Sequence, residues 1–157
     1  MRRTLRFILA LGAMVAAGCG TDVAAPQNEF GGIRYTAEVA EIISQNGAKQ
    51  FSVIVTLKNT GGGAQTRTYP ASCPVRIRLY RVSDGRLLYD ETTWPCDANP
   101  LVTLTIDGFA SKTLQSGVRF ATTVLGDSLP RTTYTAYAVV LTEGSTLVEV
   151  RAGTMTL

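Results

Sequence analysis

Three cysteines are the groups best equipped for chemistry in this 157-residue chain, because it contains no histidine at all. Without imidazole there is no Ser-His-Asp triad, no Cys-His pair, no histidine metal ligand and no imidazole proton switch near neutral pH. The carboxylates do not fill that gap. Asp90 and Glu91 are adjacent, and neighbours on a strand point to opposite faces, so they cannot flank one glycosidic bond; Glu38 and Glu41 fail likewise. Asp97-Ala98-Asn99 opens like an oxygen-ligand calcium loop but lacks the later glycine and bidentate glutamate, and a turn is expected there. Gly61-Gly62-Gly63 is followed by no Lys-Ser or Lys-Thr pair, which makes it a turn rather than a phosphate cradle. No Gly-x-Ser-x-Gly elbow, Ser-x-x-Lys pair or nucleotide fingerprint occurs. The expectation is a non-enzyme with no metal and no cofactor.

The elements that must carry these residues begin after an N-terminal leader. Met1 to Arg6 is cationic and Phe7 to Val15 is a nine-residue apolar run, the plan of a signal peptide and too short for the roughly 20 apolar residues of a membrane span. Ala16-Ala17-Gly18-Cys19 resembles the lipobox of bacterial lipoproteins. The resemblance implies that the Cys19 thiol receives a diacylglycerol and becomes the first residue of the mature chain, which would then meet the membrane through an N-terminal lipid. Ala16 stands where leucine is usual. Ordinary cleavage after an Ala-x-Ala-like site is the alternative, and would leave a secreted protein with a spare thiol. Gly20 rather than aspartate after the cysteine favours the outer membrane, by the sorting habit of some diderm bacteria. Gly20 to Gly32 has no periodic apolar pattern and reads as a flexible tether spanning roughly 20 Å. The expected organisation is a signal peptide over 1–18, a lipidated tether over 19–32 and one folded domain over 33–157. Of the 15 basic residues, Arg2, Arg3 and Arg6 fall in the leader, leaving 12 against 12 acidic ones. A neutral chain has no electrostatic footprint for nucleic acid. With 45% hydrophobic and 17% charged residues, it has the composition of a packed domain, not of a disordered segment.

From Ile33 onward, short Thr- and Val-rich runs alternate with a period of two between Gly, Asn-Gly, Asp-Gly and Pro punctuation. Ile33-Tyr35-Ala37-Val39 and Phe51-Val53-Val55-Leu57 flank Asn46-Gly47, a pair suited to a tight hairpin. A two-residue turn at Asp84-Gly85 would bring Val82 opposite Leu87, Tyr80 opposite Tyr89, Arg78 opposite Glu91, Val75 opposite Trp94 and Cys73 opposite Cys96. That register predicts a hairpin closed by a Cys73–Cys96 disulfide, the usual fate of two exported cysteines without histidine nearby, worth about 3 kcal/mol for a loop of about 24 residues. Leu101 to Ile106 and Val118 to Val124 are two further strands. Thr132 to Thr142 and Thr146 to Met155 make a last hairpin around Gly144-Ser145, with Leu141 facing Val148, Val139 facing Val150 and Tyr137 facing Ala152 on one buried side. Eight or nine strands at such spacing predict an all-β, two-sheet antiparallel sandwich.

Leu129-Pro130-Arg131-Thr132-Thr133-Tyr134 looks like the approach to the penultimate strand of immunoglobulin-like domains, where Tyr134 would be the corner tyrosine. Leu57-Lys58-Asn59-Thr60, Tyr69-Pro70-Ala71-Ser72, the strand from Val75 to Tyr80, Asp84-Gly85-Arg86 and the strand from Thr132 to Leu141 follow an order similar to the intracellular proteinase inhibitor (BsuPI) family. The likeness covers roughly Phe51 to Thr142 and implies an inhibitor of proteases. Cys73 departs from it, standing where glycine is more usual, and so does the export signal. The loop from Trp94 to Pro100 joins the only tryptophan to two prolines and a crosslink, which makes Trp94, Pro95, Asp97 and Asn99 the candidate binding loop. Two placements of Trp94 fit: packed over the disulfide in the core, or standing out for a protein partner. The sequence thus points to a lipid-anchored envelope binding module of the immunoglobulin-like class, or alternatively to a structural or assembly lipoprotein without inhibitory activity.

Overall fold

The computed structural model describes residues 28–43, 49–96, 100–121, 131–142 and 146–157. The expected leader over 1–18, Cys19, Asn46-Gly47, Asp97, Asn99 and Gly144-Ser145 lie outside them. Period-two alternation builds the first sheet. β2 (Ile33–Ile43) pairs antiparallel with β3 (Lys49–Asn59) in the register Tyr35↔Leu57, Ala37↔Val55. Ile33 and Tyr35 thus share one buried face with Phe51, Val53, Val55 and Leu57. β1 (Asn28–Phe30) adds to β2 through Gly31 and Gly32, at φ 57° and 76°, where a side chain would be strained. These three residues pair with the domain although the sequence reading assigned them to the tether. On the far edge of β3 lie β8 (Ser111–Gln115) and the two-residue β9 (Arg119–Phe120).

The second sheet runs β11 (Leu147–Thr156), β10 (Thr133–Leu141), β5 (Val75–Arg81), β6 (Leu87–Asp90), all antiparallel. The order β2-β3-β8 facing β11-β10-β5-β6 matches strands A-B-E against G-F-C-C′ of an immunoglobulin-type sandwich. Val75, Ile77, Leu79, Tyr134, Ala136, Ala138 and Val140 meet the first sheet in one core. A separate ribbon of β4 (Gln65–Pro70) and β7 (Leu101–Ile106) buries Tyr69 and Ile106 in that core, with the Tyr69 hydroxyl 3.5 Å from that of Tyr35. The chain is an all-β antiparallel sandwich, with eleven strands among the described residues rather than about eight.

Two registers differ from expectation: by one residue over Tyr137–Leu141 in the last hairpin, and in the β5–β6 hairpin by one at Arg78 and Leu79 and by two at Tyr80. In the last hairpin Val140 faces Val148 and Ala138 faces Val150. One slip moves the paired side chains to the other face, so Ala138 and Val140 join Tyr134 and Ala136 in the core, while on the other face Val139 is buried as expected but Tyr137 and Leu141 are only partly so. The ladder closes on Thr142, whose N–H donates to the Thr146 carbonyl at 2.9 Å. Farther along, the register shifts between Ala136 and Tyr137 beside Gly153, at φ 126°, a bulge that keeps Ala152 buried. In the β5–β6 hairpin the turn is longer than two residues: the Arg81 N–H donates to the Arg86 carbonyl at 2.9 Å and the Gly85 N–H to the Arg81 carbonyl at 2.8 Å. Arg78 therefore faces Asp90, and Leu79 faces Tyr89; a bulge then sets Tyr80 against Leu87. The expected pairs Tyr80–Tyr89, Arg78–Glu91 and Val82–Leu87 are not made. Ser111–Gln115 was not anticipated as a strand because Leu114 is its only apolar residue. Of the strand expected over Val118 to Val124, only Arg119–Phe120 is one, and 122–130 lies outside the described residues.

Candidate binding site

β6 ends where its chain turns under. Asp90 caps a 3-10 turn over Glu91–Thr93, its Oδ1 accepting from the Thr92 N–H at 2.9 Å and the Thr92 hydroxyl at 2.6 Å. Arg78 adds its Nε at 3.1 Å. Burial pushes the Asp90 carboxyl upward, but the Thr92 donors and Arg78 outweigh it and hold the group below the usual aspartate range. The adjacent carboxylates diverge, because the turn sends Glu91 inward, where it is 3% exposed. Its Oε2 accepts from the Ile77 N–H at 3.0 Å; its Oε1 accepts from the Tyr89 hydroxyl at 2.9 Å and is ion-paired with Arg119. Burial, then the Glu91 charge, pushes the Tyr89 hydroxyl upward. The bond to Glu91 raises the Arg119 guanidinium, against the opposing effect of its own burial. Since Arg119 belongs to the first sheet and Glu91 follows a strand of the second, this buried ion pair ties the two layers together.

Beyond the turn, Cys73 and Cys96 are bridged, with Cα atoms 6.2 Å apart. Trp94 stands out of the loop at 48% exposure, its indole edge-on to Tyr89 with ring centres 5.6 Å apart. Of the two placements left open by the sequence, Trp94 is thus not packed in the core, and Pro95 is exposed beside it. Arg76 lies under the loop: its Nη1 donates to the Thr92 carbonyl at 2.8 Å and the Glu91 carbonyl at 3.4 Å, and its Nη2 is 3.9 Å from the Cys73 sulfur. Ser72, Cys73, Arg76, Glu91, Trp94 and Arg119 line a cavity of about 200 Å³. The structure therefore gathers Cys73, Trp94 and Pro95 around one depression, with Cys96 tied to it through the bridge, and adds Arg76, Glu91 and Arg119, which sequence reasoning missed. The one-residue slip explains the omission. Once Asp90 takes the place opposite Arg78, Glu91 is released from the ladder and turns inward.

A second polar cluster covers the outer face of β5, β10 and β11. Arg78 bridges Asp90 and Glu149, the latter at 2.9 Å; Tyr80 donates to Glu149 at 3.3 Å and packs edge-on against Tyr137, ring centres 5.2 Å apart. These groups satisfy one another. Tyr134, the expected corner tyrosine, is fully buried near the start of β10, and burial raises its hydroxyl against the opposing Arg81 charge. Among the described residues no group of three or more Cys, Asp or Glu could hold a metal ion.

No family model matches the sequence, and no curated protein matches it. An X-ray structure of a Northeast Structural Genomics Consortium target is similar over 83% of this chain and 88% of its own, at 14% identity and a TM-score of 0.37.

Proposed function

We propose that this protein is a binding module, anchored to the bacterial cell envelope through an acylated Cys19, that meets a protein partner with the loop at Trp94, Pro95 and Cys96. The observation that supports this reading most is the half-exposed indole of Trp94 on a loop tied at both ends, by the Cys73–Cys96 bridge and by the capped turn over Glu91. Holding a large aromatic in place before binding removes much of the ordering cost, and tryptophan is the residue most enriched at the energetic centres of interfaces. A structural disulfide agrees with export by a leader over 1–18, since such bonds persist in oxidising compartments. Inhibition of a serine protease, implied by the resemblance to the BsuPI family, is the most specific form of the proposal. The oxidised chain from residue 20 onward, titrated against a panel of serine proteases, is expected to inhibit one of them stoichiometrically and to lose that inhibition with Trp94→Ala. No inhibition at micromolar concentration would remove the inhibitor form of the reading. The alternative, a structural or assembly lipoprotein, draws on exposed Leu101, Val102 and Phe109 on and after β7. Discrete oligomers lost on Phe109→Ser would favour it.

A further inference from the structure

The cavity beside the bridge has a charge balance that says what it would receive. Among the described residues two guanidinium groups, Arg76 and Arg119, line it against one carboxylate, Glu91. Glu91 is fully engaged: three donors converge on its two oxygens, and its charge is cancelled by Arg119. Arg76 has no such partner. Among the described residues no carboxylate lies within ion-pair distance of it, and its strong hydrogen bonds go to two neutral backbone carbonyls through Nη1. Those carbonyls fix the guanidinium plane, while Nη2 meets only the weakly accepting Cys73 sulfur at 3.9 Å. Among the described residues the result is one uncancelled, oriented positive charge in a partly enclosed depression, where salt screens it less than on open surface. Guanidinium presents paired N–H groups that match the two oxygens of a carboxylate. The volume of about 200 Å³ holds several waters at about 30 Å³ each, room for an acidic side chain. Trp94 supplies an apolar wall for the methylenes behind the acid.

We infer that this cavity is a carboxylate-accepting subsite for an acidic residue of a peptide partner, with Arg76 as the receiving group and Trp94 as the apolar wall. The inference rests on the proposed use of the Trp94 loop and names the chemistry recognised there.

Because Trp94 is the only tryptophan, its fluorescence reports on the subsite directly. The purified, oxidised full-length chain in detergent would be titrated to millimolar concentration with three short acetylated peptides: one amidated and carrying a single glutamate, its glutamine counterpart, and one whose only acid is its C-terminal carboxylate. The glutamate peptide is expected to shift Trp94 emission and to bind at least about tenfold more tightly than the glutamine peptide. Arg76→Lys should reduce that preference, since a point charge cannot make the paired contact, and Arg76→Gln should abolish it. Arg151→Gln, on the exposed edge strand β11, should leave binding unchanged, and thermal melts of each variant would show that the fold persists. If only the C-terminal carboxylate binds, the subsite takes chain ends and the side-chain assignment is overturned. Equal binding of the glutamate and glutamine peptides, or an undiminished preference in Arg76→Gln, would overturn the subsite while leaving the loop as a contact. No response to any peptide overturns the subsite; the wider reading falls only if a crosslinker at position 95, with Trp94 retained, also finds no envelope partner.

Discussion

The β5–β6 hairpin ends in two very different ways. At its turn, Arg81 and Asp84 form an ion pair three residues apart in solvent, Gly85 sits at φ 67°, and Val82 is half exposed. At its open end, a buried glutamate, a capped 3-10 turn and a disulfide hold a half-exposed tryptophan beside a cavity. The turn does no more than reverse the chain, and its charges are screened and worth little. The open end concentrates costly features: a carboxylate taken out of water, a crosslink and an aromatic left in it. Such expense at one end of an otherwise ordinary hairpin is the physical reason for placing binding there.

The comparison is broken most severely at Glu91. Glu91→Ala leaves Arg119, the Tyr89 hydroxyl and the Ile77 N–H without their acceptor and should cost about 4 kcal/mol, the usual penalty for removing one partner of a buried pair. Asp84→Ala at the turn should cost far less, because its charge is solvated; urea denaturation of both variants measures the contrast, and equal losses would refute it. Next in size is the bridge. Cys73→Ser with Cys96→Ser should lose about 3 kcal/mol by the chain-entropy argument, and in the native oxidised protein neither thiol should react with a label unless reductant is added. Trp94→Ala should lower stability by less than about 1.5 kcal/mol, because the indole is half in water and gives up chiefly its edge contact with Tyr89, yet it should abolish partner binding.

The smallest effect belongs to the turn. Arg81, then the Arg86 N–H, hold the Asp84 carboxyl at about 2, against a usual value of 3.8. A carboxylate whose pKa is lowered by folding contributes stability above its unfolded value and loses it as pH falls toward the folded one. Asp84→Asn should therefore flatten a slight fall in the urea midpoint between pH 3.8 and 2, and lower the midpoint above that range by the same slight amount.

The sandwich was legible because alternation over Ile33 to Val39, Phe51 to Leu57 and Val75 to Leu79 marks a buried face without any knowledge of neighbours. The bridge was legible too, since Cys73 and Cys96 flank the hairpin closely enough to survive an error in register. The registers themselves were not, because they hung on turn lengths: a two-residue turn at Asp84-Gly85 fits the dipeptide, but the hydrogen bond from Arg81 to Arg86 spans a longer loop. That single slip hid the site. It assigned Glu91 to Arg78 across the ladder, whereas Asp90 takes that partner and Glu91 meets Arg119, 28 residues away in sequence. No local pattern announces such a long-range ion pair. Strand β8 was missed for a related reason, as its polar residues face solvent and only Leu114 points to the core side.

The claim that one end of this hairpin is the contact surface is tested most directly by photo-crosslinking in the intact envelope. A photoreactive residue would be placed at position 95, beside Trp94, in one variant and at position 84 in another, with the chain otherwise unaltered. If so, position 95 gives a discrete adduct of one mass, lost when Arg76 is also replaced by glutamine, and position 84 gives none. An adduct from position 84 alone, or the same adduct from both positions, would contradict it.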